Sequence, residues 1–331
     1  ENDIVKCLSQ QADNPTVADI FHEWIDSRLE TKEISKASFD RYSVDFRRFF
    51  SVFGEREIKG ITELDVEEFM LKSISDFSLT AKSFGNLRIL VYGIFKRAKK
   101  KKLISFSITE VVNDLEISRN AFTKVKKDEC SEVFMQDELP VVLDYLKDNL
   151  DIVNLGLLLM FVTGVRVGEL VAIKPEDVEG NVIHICRTES HYKDKETGKD
   201  VYAIKDTPKT AAGIRNVIVP TDYIWILHKI KQMNPSGEFL FMRDGSRIRA
   251  YTVRLRLHRV CKETEVHDKS THKARKTYAS ILLSAGVDTS IVISLMGHTD
   301  ISCTEQYYHR NRKDIAAKTV LLNSIPEFQS H

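Results

Sequence analysis

The 331 residues carry 49 Lys+Arg against 48 Asp+Glu, for a formal net charge of +1, and 42% of them are apolar, which is enough chain for two domains with a core in each. No apolar run approaches the ~20 residues of a membrane-spanning helix and no signal peptide opens the chain, so a soluble, cytoplasmic protein with no membrane partner is expected. The five cysteines, at 7, 130, 186, 261 and 303, are odd in number and lack Cys-x-x-Cys or zinc-like spacing, which argues for reduced thiols and against a disulfide framework or a structural metal.

The near-neutral average hides charge that comes in blocks. Glu1 stands where Met would open a full-length chain, so we expect a fragment or processed form from which a further N-terminal domain can be missing. Residues 1–14 are polar without periodicity and read as a tail. From Pro15 the pattern turns helical: Val17, Ile20, Phe21, Trp24, Ile25 and Leu29 recur at three and four residues behind a capping Thr16. A second helix runs from about Ser38 to Phe53, with Tyr42, Phe46, Phe49 and Phe50 on one side and Arg41, Arg47 and Arg48 around the other; Gly54 ends it. Thr62-Glu63-Leu64-Asp65 predicts a capped third helix, and Leu79 to Lys102 a fourth. Residues 15–117 thus read as a small all-helical domain. Its fourth helix carries Lys82, Arg88, Lys96, Arg97 and Lys99 to Lys102, with no acidic residue between 82 and 109. Interleaved with Leu87, Leu90, Val91, Ile94 and Phe95, these charges form either a solvated face or one that tracks a phosphate backbone.

Residues 118–131 are polar and basic, and read as an interdomain linker in which Lys124, Lys126 and Lys127 suit either a strap across a DNA groove or a solvated connector. A second domain is predicted over 132–312, opening with a capped helix that continues through Leu146. Val153 to Val162 is apolar on all sides and predicts a buried helix. It leads into Thr163-Gly-Val-Arg-Val-Gly-Glu-Leu, where Arg166 needs a compensating charge beside a buried run and Glu169 is the nearest candidate. Val182-Ile-His-Ile-Cys, Tyr202-Ala-Ile and Arg215-Asn-Val-Ile-Val predict a three-stranded antiparallel sheet. The connection from His191 to Asp200 is lysine-rich, and the next one holds Lys209 with Lys205 nearby. A helix over Tyr223 to Met233 and a buried Glu238-Phe-Leu-Phe segment follow. Arg247 to Lys262 predicts a strongly basic helix whose Arg249, Arg254, Arg256 and Arg259 are expected to make phosphate or groove contacts.

The stretch from Thr271 to Arg310 contains the chemistry. His272 and Arg275 stand three apart and leave one helix face, so they can converge on one anionic ligand. Ile281 to Met296 predicts two helices broken at Gly286, after which Gly297 and His298 precede Tyr307 and Tyr308. Each of these residues alone has a bland reading as a cap, core or packing group. Lys313 to Ile325 carries a short apolar stripe, too short to be a stable helix alone.

Taken together these motifs resemble the tyrosine recombinases of the phage-integrase family, most closely the integrases of bacterial integrative and conjugative elements. That family has an arginine block matched by Arg166, a hairpin lysine matched by Lys209, a His-x-x-Arg motif matched by His272 and Arg275, and a Gly-His motif matched by His298. Its nucleophilic tyrosine lies nine residues further on, at Tyr307, and Tyr307 with His309 also matches its Tyr-x-His. Lys276 stands where the family commonly has a histidine, and Lys273-Ala274 replaces a common x-Leu.

The resemblance implies a two-domain, mainly α fold: a four-helix, SAM-like core-binding domain that grips DNA, and an α+β catalytic domain with the small sheet. It implies a DNA strand-transferase acting through a covalent 3′-phosphotyrosine, with Arg166, Lys209, His272, Arg275, His298 and Tyr307 catalytic and Glu169 supporting the site. Lys82, Arg88, Lys96, Arg97, Lys99, Lys100, Lys124, Lys126, Arg249, Arg254 and Arg256 are expected on DNA. No cofactor is implied, since there is no Gly-x-x-x-x-Gly-Lys loop and no carboxylate cluster for magnesium. Expected partners are duplex DNA bearing specific recombination sites, a homo-tetramer in synapsis formed from monomers or dimers on single sites, and accessory DNA-bending or excision factors, with a nucleoid location. Residues 313–331 are expected to dock on a neighbouring protomer. The alternatives are a non-cleaving DNA-binding accessory or repressor protein of the same fold, and a type IB topoisomerase-like enzyme.

Overall fold

The computed structural model describes residues 14–124, 128–194, 197–206 and 211–297. The chain divides into two compact units, one built from residues up to 126 together with 192–200, the other from the remainder.

The first unit holds four long helices, α1 (Val17–Glu30), α2 (Lys36–Phe49), α3 (Glu63–Asp76) and α4 (Ala81–Lys100), and a short α5 (Ile108–Asn113). Capping boxes start α1 and α3, where Thr16 pairs with Asp19 and Thr62 with Asp65. Aromatic rings fill much of the space between helices, with Phe21 and Phe46 stacked at 3.9 Å and Phe46 and Phe50 at 4.8 Å. Leu87, Leu90, Val91, Ile94 and Phe95 of α4 are all 0% exposed. At ~1.5–3 kcal/mol for each such side chain, α4 is the column on which this unit is built. The opposite side of α4 leaves Lys82, Arg88, Lys96, Lys99 and Lys100 exposed. Arg97 differs from them, for it is half-buried and ion-paired with Glu23 at 2.6 Å, so part of its charge is spent inside the protein.

Residues 118–123 stay with this unit. The Phe122 ring lies 5.4 Å from that of Phe84, and the Thr123 N–H donates to the Leu79 carbonyl at 2.9 Å. One aromatic ring in a polar run leaves no periodicity, so this anchoring is silent in the sequence. Lys124 donates to the Asn120 side chain at 3.0 Å, while Lys126 lies outside the described residues.

The second unit contains α6 (Glu129–Glu132), α7 (Glu138–Asp148), α8 (Ile152–Thr163), α9 (Val167–Leu170), β1 (Val178–Glu179), β2 (Val182–Ile185), β3 (Thr188–Lys193) up to His191, β4 (Asp200–Lys205) from Val201, β5 (Arg215–Ile218), α10 (Ile224–Met233), β6 (Met242–Arg243), β7 (Ser246–Arg247), α11 (Ala250–Glu263), α12 (Thr271–Ser284) and α13 (Thr289–Met296). Helix α8 is buried on every side, as its unbroken apolar run predicts, and α7, α10, α11 and α12 pack around it.

A three-stranded antiparallel sheet is present, but its membership differs from the expected one. Its order is β1-β2-β5, with Val178 opposite Ile183 and Ile183 opposite Val217. Tyr202-Ala-Ile belongs instead to a separate two-stranded ribbon of β3 and β4. The strand Thr188-Glu-Ser-His-Tyr-Lys leaves no pattern in the sequence because neither face of the ribbon is fully buried and no apolar alternation is required. The two-residue β1 is too short to leave a period. Among the described residues no helix is long and apolar enough to cross a membrane.

Candidate active site

The first part of the site is a turn that delivers Arg166. Helix α8 ends at Gly164 in the left-handed region, φ 66°, and a β-carbon there would meet the Tyr278 ring at 2.3 Å, so only glycine fits. Two residues later Arg166 caps α9. Its N–H and its Nη1 both donate to Glu169, at 2.8 and 2.7 Å. Glu169 is 2% exposed and serves a second arginine as well: Arg215 donates to it from Nη2 at 2.8 Å and Nη1 at 3.1 Å. Burial pushes the Glu169 carboxyl up, but Arg215 first, then Arg166 and Arg275, outweigh that and hold it at about 2. The carboxylate is therefore permanently charged at neutral pH and acts as the hub that orients two guanidinium groups.

The sequence pattern marks Arg215 only as the start of a strand. It sits in phase with Val217 on the buried side of β5, while Asn216 and Ile218 are exposed. An arginine in the inward register of a strand is a signal for a buried ion pair, and this one was available in the sequence. Its Nε also donates to the Leu295 carbonyl at 2.7 Å, tying the sheet to α13.

The second part is Arg275, three residues after His272 on α12. It is 1% exposed, and its Nη1 donates to the Gly164 carbonyl at 2.6 Å while Nη2 donates to the Met296 carbonyl. These carbonyls sit at the C-terminal ends of α8 and α13, where unpaired carbonyls and the helix dipole favour a cation. A buried positive charge is thus stabilised by two helix ends in addition to Glu169. Gly297 closes α13 with φ 60°, and a β-carbon there would meet the Ala212 carbonyl at 2.7 Å. The Gly297 carbonyl accepts a long bond, 3.4 Å, from Arg166 Nη2. The residue immediately before His298 is fixed against the same arginine nest.

Arg166, His272 and Arg275 line one pocket of about 290 Å³, together with Val167, Arg254, Ser270 and Thr271. His272 is exposed at the pocket, yet enough protein surrounds its ring for desolvation to lower its pKa, and the charges of Lys276, Arg275, Lys273 and Arg166 add to this, bringing it to about 4. With no substrate bound, the imidazole is neutral at pH 7. Lys276, the departure from the family's usual histidine, is 5% exposed and donates to Glu132 at 2.5 Å; Lys273 donates to the same carboxylate. These two lysines hold the Glu132 carboxyl at about 2 against the upward push of burial. They fasten α6 to α12, aided by the Phe134 N–H donating to Thr277 Oγ1 at 2.8 Å. Lys276 is thus a packing group as well as a charge.

The other expected residues fall elsewhere. Arg256 is ion-paired with Asp151 at 2.6 Å, and Arg249 lies over the Tyr202 ring at 4.6 Å; neither lines the pocket. Lys209, His298 and Tyr307 lie outside the described residues. Among the described residues no cluster of three His, Cys, Asp or Glu side chains could hold a metal ion.

Guanidinium groups from separate elements lining one pocket, in a mainly helical unit with small antiparallel sheets, make a site that favours an anionic ligand. The chain belongs to the phage integrase family, whose model matches residues 132–314, and this makes it a tyrosine recombinase, a DNA strand-transferase. Among its relatives are tyrosine recombinase XerD of Rickettsia bellii, 21% identical over 299 residues that cover 87% of this chain and 92% of the relative, and tyrosine recombinase XerC of Staphylococcus aureus, 28% identical over 229 residues that cover 69% and 63%. Of solved structures, the Tn1549 transposon integrase in complex with transposon right end DNA matches with a TM-score of 0.67 at 17% identity, covering 93% of this chain and 98% of the other. A lambda integrase dimer bound to a COC′ core site matches with a TM-score of 0.63 at 19% identity, covering 93% and 82%. These matches establish the shared fold.

Proposed function

We propose that this protein cuts and rejoins duplex DNA at specific sites to integrate and excise a mobile element. The single observation that carries this reading is that Arg166, more than a hundred residues before His272 and Arg275, lines one pocket with them. Phosphoryl transfer gains most of its rate from positioning and from fixed positive charge around the nonbridging oxygens, and arginines docked on a carboxylate and on helix ends need no rearrangement to supply it.

In the proposed reaction Tyr307 Oη attacks the scissile phosphorus while the bond to the 5′-oxygen breaks. The products are a 3′-phosphotyrosyl link and a free 5′-hydroxyl. Lys209 gives a proton to the leaving oxygen, and His272, neutral above about pH 4 in the free protein, accepts the phenolic proton; His298 donates a hydrogen bond to the same phosphate. Attack by the 5′-hydroxyl of the exchanged strand reverses each step and reseals the backbone. Bond energy is kept in the phosphotyrosine, so neither a nucleotide cofactor nor a metal is required.

The domain reading follows from the same proposal: residues 15–117 bind one side of the duplex, 118–131 link, 132–312 carry the chemistry, and 313–331 dock in trans on a neighbour. A tetramer, two protomers per site, performs the exchange in the cytoplasm on nucleoid DNA, helped by accessory DNA-bending or excision factors. Support for this assembly comes from a lambda integrase tetramer bound to a Holliday junction, a structure that matches with a TM-score of 0.64 at 18% identity.

The test is covalent capture. Nicked duplexes from a randomised library, built so that cleavage releases a short fragment and traps the enzyme, are incubated with the protein in EDTA and resolved under denaturing conditions. A DNA adduct that survives in Tyr308→Phe and disappears in Tyr307→Phe is expected. Tight DNA binding with no adduct on any duplex would replace this reading with that of a non-cleaving binder.

A further inference from the structure

We propose that Arg254 is a third arginine of the active site, and that it grips the phosphate adjacent to the scissile one on the cleaved strand. The proposal rests on the reading of the pocket as a phosphodiester site.

Arg254 comes from α11, whereas Arg166 comes from the turn after α8 and Arg275 from α12, yet all three line the same pocket. Their surroundings differ. Arg275 is 1% exposed and docked on two backbone carbonyls, and Arg166 shares Glu169 with Arg215. Arg254 is exposed, and among the described residues it makes no hydrogen bond or ion pair. Its backbone, in contrast, is firmly held. The Ala250 N–H at the start of α11 donates to Glu189 at 3.0 Å, Arg247 donates to the same carboxylate at 2.5 Å, and Arg256 pairs with Asp151 at 2.6 Å and donates to Asn154 at 2.8 Å. Arg247 and Arg256 are used to fix the helix, whereas Arg254 lines the pocket with its donors unspent.

The pocket, about 290 Å³, is roomier than one phosphate group requires. Successive phosphates on a strand are joined by one sugar and advance ~3.4 Å along the duplex axis, so a strand whose scissile phosphate meets Arg275 brings a neighbouring phosphate to the same pocket, which Arg254 lines from another helix. A guanidinium there can meet that neighbour with two parallel N–H donors. A fixed grip on the adjacent phosphate sets the angle at which the scissile phosphorus meets its nucleophile, so it acts on the rate of cleavage and not only on affinity.

The experiment uses the full chain and a nicked duplex obtained by covalent capture with the unaltered protein. Methylphosphonates, which remove the charge, replace the phosphates flanking the scissile one, singly and on each side. Arg254→Ala should lower the single-turnover adduct rate at saturating duplex by ~10- to 100-fold, the scale of a lost charged hydrogen bond. A methylphosphonate at one flanking position should slow the unaltered protein similarly and leave Arg254→Ala unchanged, while Arg254→Lys recovers part of the loss. Losses that multiply at every position, or a weakened affinity with the saturated rate intact, would make Arg254 a general backbone contact and overturn the proposal. The methylphosphonate scan on the unaltered protein needs no variant to fold, and a scan with no slow flanking position is equally fatal. If the unaltered protein forms no adduct, the phosphodiester reading fails and this one with it; if it does and Arg254→Ala matches it, only this one fails.

Discussion

Two basic regions of this molecule are built on opposite plans. Around Arg275 three arginines meet protein groups before any ligand arrives: Glu169 lies between Arg166 and Arg215, and the carbonyls of Gly164 and Met296 receive Arg275. On α4 the charges of Lys82, Arg88, Lys96, Lys99 and Lys100 stand exposed on a helix whose other face is the core. Fixed charge in a poorly solvated setting favours a transition state, because no reorganisation is needed when charge develops there. Mobile, hydrated charge raises affinity for a polyanion of any sequence and is weakened by salt. The difference teaches that the count of arginines and lysines says little about role, whereas what each one touches says much.

The largest effects are expected at the buried arginines. Arg275→Ala removes a cation from between two helix ends and beside a buried carboxylate, and is expected to cost ~3–5 kcal/mol of stability along with cleavage; a urea melt that matches the unaltered protein would deny the nest its structural role. Glu169→Gln leaves Arg166 and Arg215 facing a neutral amide, so a loss of ~2–4 kcal/mol is expected, with cleavage at saturating DNA reduced more than binding. Adduct yield against DNA concentration separates the two effects.

Acid provides a graded test. The His272 pKa lies below its usual 6.5, near 4, so the folded state favours the neutral ring and stability is lost as pH falls from 6.5 toward 4. Glu132 and Glu169 lie below 4.5, near 2; their contribution is full above pH 4.5 and is lost as pH falls toward 2. Urea midpoints measured from pH 8 to pH 2 should therefore drop in two stages, a small first one because His272 is exposed and a larger second one. Glu132→Gln should shrink the second stage, and an unchanged profile would contradict the Lys273–Glu132–Lys276 linkage.

The smallest effects belong to α4. Lys96→Ala, Lys99→Ala and Lys100→Ala should each weaken DNA binding evenly across sequences and reduce the salt slope by ~0.9. The adduct rate at saturating DNA should not move. A rate loss there as large as that of an Arg166→Lys variant would erase the distinction between the two regions.

Much of this was legible in the chain. The all-round apolar run of α8, the caps at Thr16 and Thr62 and the spacing of His272 and Arg275 are local patterns, and the structure carries them as read. The membership of the sheet is not legible, because the β3–β4 ribbon is held by backbone pairing with little burial, which leaves no alternation to detect. Arg215 escaped notice although its inward register announced it.

By itself the sequence determined which residues carry permanent charge, which runs must be buried, and which helix starts are capped. Those properties reside in single residues and their near neighbours. The tertiary structure alone decided that Glu169 serves two arginines, that Arg275 rests on the ends of two helices, and that Arg254 faces their pocket. Each of these depends on elements distant in the chain being packed together, and no local pattern encodes a distance across a core.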